Sequence, residues 1–249
     1  MRVTILGSGT GIPSLKRCCA GYLLQTTDKK YLIDCGTGIL RQLERNKTSF
    51  NCLDAIFITH THSDHIGDLT ALVHALRLPN LPRSKPLHIY GPPGFIDFFK
   101  AIVQPVAKPP TLFPFFVEEA PLYWQKDGIN IQTCNTIHSD RFKSVAYRFD
   151  EFNKSVVFSG DCDFDDEIIN LAQNTDLFIC DCSTLAAGKI PGHLSAIEVG
   201  EIAQQAQVKQ LVPTHFYPIE GPDSLRADEC AQIYTGPITL AEDLLMIIV

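Results

Sequence analysis

His60-Thr61-His62-Ser63-Asp64-His65 is the stretch on which the fold turns. Three imidazoles and a carboxylate fall within six residues, directly after the apolar run Ala55-Ile56-Phe57-Ile58. Such a run reads as a strand, and a strand that ends in a short loop can aim several donors at one point. Imidazole suits zinc, and a carboxylate suits zinc, manganese or iron. The bland reading is a polar loop with solvated histidines. The chain has only eight histidines in 249 residues, so three in one hexapeptide favour metal ligation over chance.

Further donors share that context, a strand followed at once by a polar residue. His138 follows Ile129–Asn135, Asp161 follows Ser155–Phe158, and His215 follows Gln210–Val212. Taken singly each is weak, because a lone His at a strand end is as often a satisfied structural residue. Added to residues 60–65, they make six donors and one carboxylate able to bridge.

These residues resemble the metallo-β-lactamase superfamily, and within it the ribonuclease Z-like branch. The matching motifs are His60-Thr61-His62-Ser63-Asp64-His65, the lone His138, Asp161 in Ser159-Gly160-Asp161-Cys162, and His215 in Thr214-His215-Phe216. Asp34 in Leu32-Ile33-Asp34-Cys35-Gly36 matches the first acidic motif, and Leu6-Gly7-Ser8-Gly9-Thr10-Gly11-Ile12-Pro13 with Arg17 matches the start of the branch. The resemblance implies one hydrolase domain over residues 1–249, an αββα sandwich with metals at one edge. It implies two divalent ions, zinc first, with manganese or iron also suited. His60, His62 and His138 would bind one; Asp64, His65 and His215 the other; Asp161 would bridge them. Asp34 would accept a hydrogen bond from a ligand imidazole and fix its tautomer. A homodimer is also implied.

Two cations about 3.5–4 Å apart lower the pKa of a bridging water, polarise a phosphoryl oxygen and hold attacking and leaving oxygens in line. Asp64 and Asp161 would stay ionised in so cationic a site, so the leaving group needs a proton from elsewhere. His193, in Pro191-Gly192-His193-Leu194-Ser195, is the candidate. It precedes a helix whose positive N-terminal end would lower an imidazole pKa and favour a phosphate. The branch pairs a His in a similar place with an acid, a role open to Asp181. The branch usually has Glu in Glu-x-Thr-Phe, whereas this chain reads Asp181-Cys182-Ser183-Thr184. Arg17, beside Lys16, is a candidate phosphate contact; the alternative is a solvated basic pair. Gly7, Gly9 and Gly11 do not fit a dinucleotide fingerprint, and a tight turn is the simpler reading. Arg141, Lys143 and Arg148 form a basic face only if strand alternation does not separate them.

Short strands and helices alternate elsewhere: strands at Val3–Leu6, Tyr22–Leu24, Tyr31–Ile33, His88–Tyr90, Ser144–Phe149, Leu177–Cys180 and Leu245–Val249. Helices are expected over Ile39–Arg45, Leu69–Leu78 (stopping before Pro79), Phe95–Ile102, Glu167–Ala172, Ser195–Gln207 and Leu225–Tyr234. Ser195 and Glu198 have capping-box spacing. Pro105–Pro114 reads as a connection that no helix crosses. Trp124 and Tyr123 read as core or sheet-edge aromatics.

Hydrophobic residues make up 45% and net charge is −7, the profile of a packed domain and not of a broad nucleic-acid binder. No apolar run is long enough for a bilayer and the opening is strand-like, so no membrane role and a cytoplasmic location are expected. Nine cysteines without framework spacing agree with a reducing compartment. Transfer-RNA-processing members of the branch often insert a long arm between the positions of His138 and Asp161. Here only residues 139–160 intervene. The favoured expectation is therefore a metal-dependent phosphodiesterase for a small phosphodiester, a cyclic phosphate or a short RNA end. A tRNA 3′-end endonuclease, a lactone, thioester or β-lactam hydrolase, and a non-catalytic scaffold are the alternatives.

Overall fold

The computed structural model describes residues 1–78, 83–219 and 221–249. The first half of the chain lays down β1 (Arg2–Gly7), β2 (Gly21–Gln25), β3 (Lys30–Ile33), β4 (Ala55–Phe57), β5 (Leu87–Gly91) and β6 (Phe115–Glu119). The second half forms β7 (Tyr123–Lys126), β8 (Ile129–Asn135), β9 (Val145–Glu151), β10 (Lys154–Phe158), β11 (Leu177–Asp181) and β12 (Leu211–Thr214). The final strand, β13 (Met246–Ile248), returns to pair antiparallel with β1. Two sheets result, ordered β13-β1-β2-β3-β4-β5-β6 and β12-β11-β10-β9-β8-β7.

Side-chain alternation explains the layering, since neighbours along a strand point to opposite faces. Ile5, Tyr22, Leu24, Tyr31, Ile33 and Phe57 turn toward the second sheet and pack with Ile131, Tyr147 and Phe149. Leu6, Leu23, Leu32, Ile56 and Ile58 turn the other way, onto helices. Both faces of the central strands are buried, so they read as unbroken apolar runs. Phe57 is the hub between the sheets, with ring centroids of Phe149, Tyr147 and Tyr31 at 5.0, 5.4 and 5.4 Å.

The first sheet is covered by α1 (Ile39–Arg45), α3 (Leu69–Ala75) and α4 (Phe95–Phe98), with the helical turn α2 (Ser63–Ile66) at the end of β4. The stretch from α4 continues through α5 (Gln104–Val106). The second sheet is covered by α6 (Asp166–Ala172), α7 (Ala196–Gln205) and α8 (Ser224–Cys230). The four-layer αββα sandwich is thus present.

Several local expectations are corrected. Pro105 does not end the helix begun at Phe95: a wider π turn over Phe99–Val103 carries the chain into α5, where Pro105 occupies the first turn. The wider turn before it accommodates a residue that lacks an N–H. Strands β6 and β7 were not expected; both are edges of their sheets and are only partly buried. The helix from Leu69 ends at Ala75, and that from Ser224 at Cys230. Pro79 lies outside the described residues. Half of the expected 60–65 loop is the turn α2, so Asp64 and His65 project from a hydrogen-bonded platform.

Candidate metal centre

Each candidate donor of the strand-end type sits at the carboxyl end of a strand, where open α/β sheets place their ligands. Asp34 follows β3, His60 follows β4, Asp161 follows β10 and His215 follows β12. Asp34 and His215 both adopt left-handed backbone, with φ of 57° and 60°. That conformation is costly for residues with a Cβ, and it turns the chain sharply back over the sheet edge. His60, His65, Asp161, Asp181, His193 and His215 are buried; His62, Asp64 and His138 are half-buried.

Two sets of donor atoms converge. His62 Nδ1 lies 3.1 Å from His60 Nε2 and 2.9 Å from His138 Nε2. Asp161 Oδ2 faces this set, 3.6 Å from His60 Nε2 and 3.8 Å from His138 Nε2. In the other set, His215 Nε2 lies 3.4 Å from both His65 Nε2 and Asp64 Oδ2. Asp161 Oδ1 faces that set, 3.2 Å from His65 Nε2 and 3.4 Å from His215 Nε2. Bonds of 2.0–2.1 Å to a tetrahedral ion put donor atoms about 3.3 Å apart, which these spacings bracket. Asp161 Oδ1 is buried and makes no hydrogen bond, although two imidazole nitrogens stand beside it. A carboxylate oxygen so placed is satisfied by a cation. The clusters are thus able to hold metal ions.

The outward ring nitrogens are held by oxygens, which orients the rings. His65 Nδ1 donates to Asp34 Oδ2 at 2.8 Å, and His60 Nδ1 to Thr59 Oγ1 at 3.0 Å. The Thr59 hydroxyl in turn donates to Asp34. His138 Nδ1 donates to the Gly192 carbonyl at 2.7 Å, and His215 Nδ1 to Ser183 Oγ at 3.2 Å. Gly192 has to be glycine: its φ is +83°, and a Cβ would lie 2.4 Å from the His138 carbonyl oxygen. Its N–H is held by Asp163, which Lys189 joins to Glu198 at 2.6 Å on each side.

The electrostatics divide the histidines. Burial, helped by the charge of His65, pushes His60 well below the usual imidazole range. Burial also lowers His62, with His138 adding to it. Burial opposes charge on His65 and His215 too, and is the largest single effect, but Asp161 together with Asp34 at His65, and with Asp181 and Asp64 at His215, outweighs it. His65 is held well above its ordinary value, and His215 is raised to about 10. Burial would raise both carboxylates. The His215 hydrogen bond nevertheless brings Asp64 to about 2, and the charges of His215, His65 and His60 keep Asp161 well below the carboxylate range.

His193 stands beside the donors, its Nδ1 3.0 Å from Asp181 Oδ2 and 3.1 Å from Ser183 Oγ. Ser183 Oγ donates to Asp181 Oδ1 at 2.6 Å, so one hydroxyl ties Asp181 to both His193 and His215. The sequence expectation of a lowered His193 pKa is reversed. Burial does act downward, but the Asp181 hydrogen bond and charge raise it. The N-terminal end of α7 is already answered by Glu198, whose carboxylate accepts the Ser195 N–H at 2.8 Å in the expected capping box.

Arg17 is also corrected. Its guanidinium donates to Ser8 Oγ, to the Ala241 carbonyl and to Asp223, so it braces the fold where a phosphate contact was expected. Arg148 is likewise engaged, by Asp150 and the Leu171 and Gln173 carbonyls, and leaves the basic face. Arg141 and Lys143 remain exposed along one cleft. Thr59, Ser183 and the Gly192 carbonyl were missed. Ser183 had a signal, two residues after Asp181; a backbone carbonyl has none. Phe142, which packs edge-on to His62 at 4.6 Å between centroids, and Tyr217 were missed as well.

Comparison with known proteins agrees with this geometry. The chain is 29% identical over 246 residues to the probable metallo-hydrolase YhfI of Bacillus subtilis (strain 168), covering 97% of each. It is 30% identical over 276 residues to ribonuclease Z of Brevibacillus brevis, covering 88% of this chain and 86% of that one. The crystal structure of the metallo-β-lactamase fold protein YhfI superposes with a TM-score of 0.86 at 27% identity, covering 99% and 98% of the two chains. Human tRNase Z, short form, shares the fold with a TM-score of 0.81 at 24% identity, covering 100% and 99%. The model of the family described as anti-Pycsar protein Apyc1 matches residues 1–231. The chain therefore belongs to that family, as a metal-dependent hydrolase of the metallo-β-lactamase fold related to ribonuclease Z.

Proposed function

We propose that residues 1–249 form one binuclear phosphodiesterase domain acting on a small phosphodiester, a cyclic phosphate or a short RNA end. His60, His62 and His138 hold one divalent ion, Asp64, His65 and His215 hold a second, and Asp161 joins them; zinc suits the donors first, manganese and iron next. The observation that carries the reading is the division of Asp161, one oxygen toward each donor set. Such a pair of ions supplies a nucleophile at neutral pH and neutralises phosphoryl charge.

The chain's own residues do the rest. Asp34, Thr59, Ser183 and the Gly192 carbonyl fix the imidazole tautomers. Asp181 occupies Nδ1 of His193, which leaves Nε2 to give a proton to the leaving oxygen. A cleft of about 870 Å³, lined by His138, Phe142, Lys143 and Gly192, suits a small substrate. A short loop over residues 139–144 and the hairpin β9–β10 fill the interval between His138 and Asp161, with no arm to grip a large RNA. Metal analysis with turnover of bis-p-nitrophenyl phosphate tests the reading: two ions bound without turnover would sink it. The ribonuclease Z relatives favour one second reading, tRNA 3′-end processing. Faster cleavage of precursor tRNA than of small diesters would promote it. Cytoplasmic location, supported by nine free cysteines, and a homodimer, implied by the resemblance, complete the proposal. Sedimentation as a monomer would remove the dimer.

Metal loading should release protons. His65 and His215 are raised, so both favour the doubly protonated, cationic ring at pH 7 in the metal-free protein. A group raised in this way is lost as a ligand as pH falls, so metal affinity should drop on acidification. Titrating zinc into chelator-treated protein at pH 7 should release ~1–2 protons per chain. Calorimetry in buffers of different ionisation enthalpy reads that number, and a result of zero contradicts it.

A further inference from the structure

Tyr217 is presented by the site and has no part in the chemistry above. Its ring stands edge-on to His193 and to His215, with centroids 5.4 and 5.8 Å away. Burial and then the charges of Asp161, Asp64 and Asp181 raise its phenol, which lies within electrostatic reach of the centre. Among the described residues that hydroxyl has no hydrogen-bond partner, although the residue is half-buried. The backbone beneath it is held tightly. The Tyr217 N–H donates to the Ser183 carbonyl, and its own carbonyl accepts from Arg226. Arg226 is fully buried and also donates to the carbonyls of Cys182 and Ser183. Phe216 is clamped between the guanidinium groups of Arg17 and Arg226, at 4.6 and 4.5 Å from its ring centroid. Two buried or half-buried arginines thus hold one short segment in place, and what that segment offers the site is an unused O–H.

We propose that the Tyr217 hydroxyl donates a hydrogen bond to a non-bridging oxygen of the phosphoryl group at the metal centre, on the His193–His215 side. This rests on the phosphodiesterase reading. A fixed donor aimed where negative charge gathers stabilises it without reorganising, and the carboxylates of Asp64, Asp161 and Asp181 make such a donor more necessary there. A phenol is protonated at neutral pH and gives up its proton far less readily than an imidazolium. Tyr217 therefore suits an oxygen that stays anionic, and His193 the oxygen that leaves.

The test uses full-length, metal-loaded protein. In Tyr217→Phe, kcat on bis-p-nitrophenyl phosphate should fall by ~10- to 100-fold. Metal content and Tm should not change. Inhibition by inorganic phosphate, which offers the same oxygens, should weaken by ~10-fold for one lost charged hydrogen bond. The loss in kcat should be the same for good and poor leaving groups. Tyr217→Leu, which also removes the ring, should lose at least as much. Wild-type kcat and phosphate inhibition in Tyr217→Phe would overturn the proposal. So would a loss in Tyr217→Leu alone, which assigns the role to ring packing, or a loss that grows with poorer leaving groups, which assigns the hydroxyl to the leaving oxygen. Failure of the phosphodiesterase reading would show separately, as absent turnover in the wild-type protein.

Discussion

Replacing Asp161 by Ala should abolish binuclear metal binding and lower kcat/KM on a phosphodiester by ~10³-fold or more, about 4 kcal/mol of transition-state stabilisation. Among the described residues, Asp161 is the side chain that faces both donor sets, one oxygen to each. Asp64 faces only the set with His65 and His215, so Asp64→Ala should spare the ion held by His60, His62 and His138. Metal analysis after gel filtration separates the two variants. Stability gives an independent readout, because a ligand that binds only the folded protein raises Tm by mass action. Zinc should raise the Tm of the wild-type protein and scarcely move that of Asp161→Ala. Metal-free Asp161→Ala should be less stable than the metal-free wild type at pH 7, because it strips the counter-charge from His65 and His215, whose Nε2 atoms lie 3.2 and 3.4 Å from the carboxylate. Retention of two ions by Asp161→Ala would refute the assignment.

His193→Ala should slow hydrolysis of diesters with strongly basic leaving groups by ~10²–10⁴-fold, the usual reach of general acid catalysis. It should slow p-nitrophenyl esters far less, because p-nitrophenolate is a weak base and leaves without a proton. Metal content should stay at the wild-type level, since His193 Nδ1 is engaged by Asp181 and Ser183. Asp161, Asp181, His193 and His215 also form a cluster with metal-ligand spacing. Loss of metal from His193→Ala would make His193 a ligand and remove its proton-donor role. Asp181→Asn should behave differently. Asp181 acts on His193 directly and on His215 through Ser183 and its own charge, with Oδ1 3.6 Å from His215 Nδ1. That variant should combine the leaving-group effect with metal affinity lower by ~10–100-fold, as expected when a partner of a ligand imidazole is lost. The shorter acid at position 181 does reach His193, at 3.0 Å, and the Ser183 hydroxyl completes its reach toward His215.

The comparison between chain and fold divides along sequence distance. The buried strands were legible because both of their faces are apolar, and the donors were legible because each directly follows such a strand. The strands β6 and β7 were not: β6 follows the proline-rich stretch that reads as a connection, and β7 has only the aromatic pair Tyr123-Trp124 before polar residues. Arg17 reads the same whether it waits for a phosphate or braces a fold. Its partners Asp223 and Ala241 lie more than two hundred residues away and meet it only in the folded chain. The same holds for the centre itself. Residues 60–65 determined by themselves that a metal-type donor cluster exists, because strand geometry and imidazole chemistry act over a few residues. That Asp161 stands between two sets, that Asp181 serves two histidines and that Tyr217 faces them was decided by the packing of the two sheets. Those contacts join residues such as His65 and His215, 150 positions apart, and nothing in local chemistry sets a distance across that span.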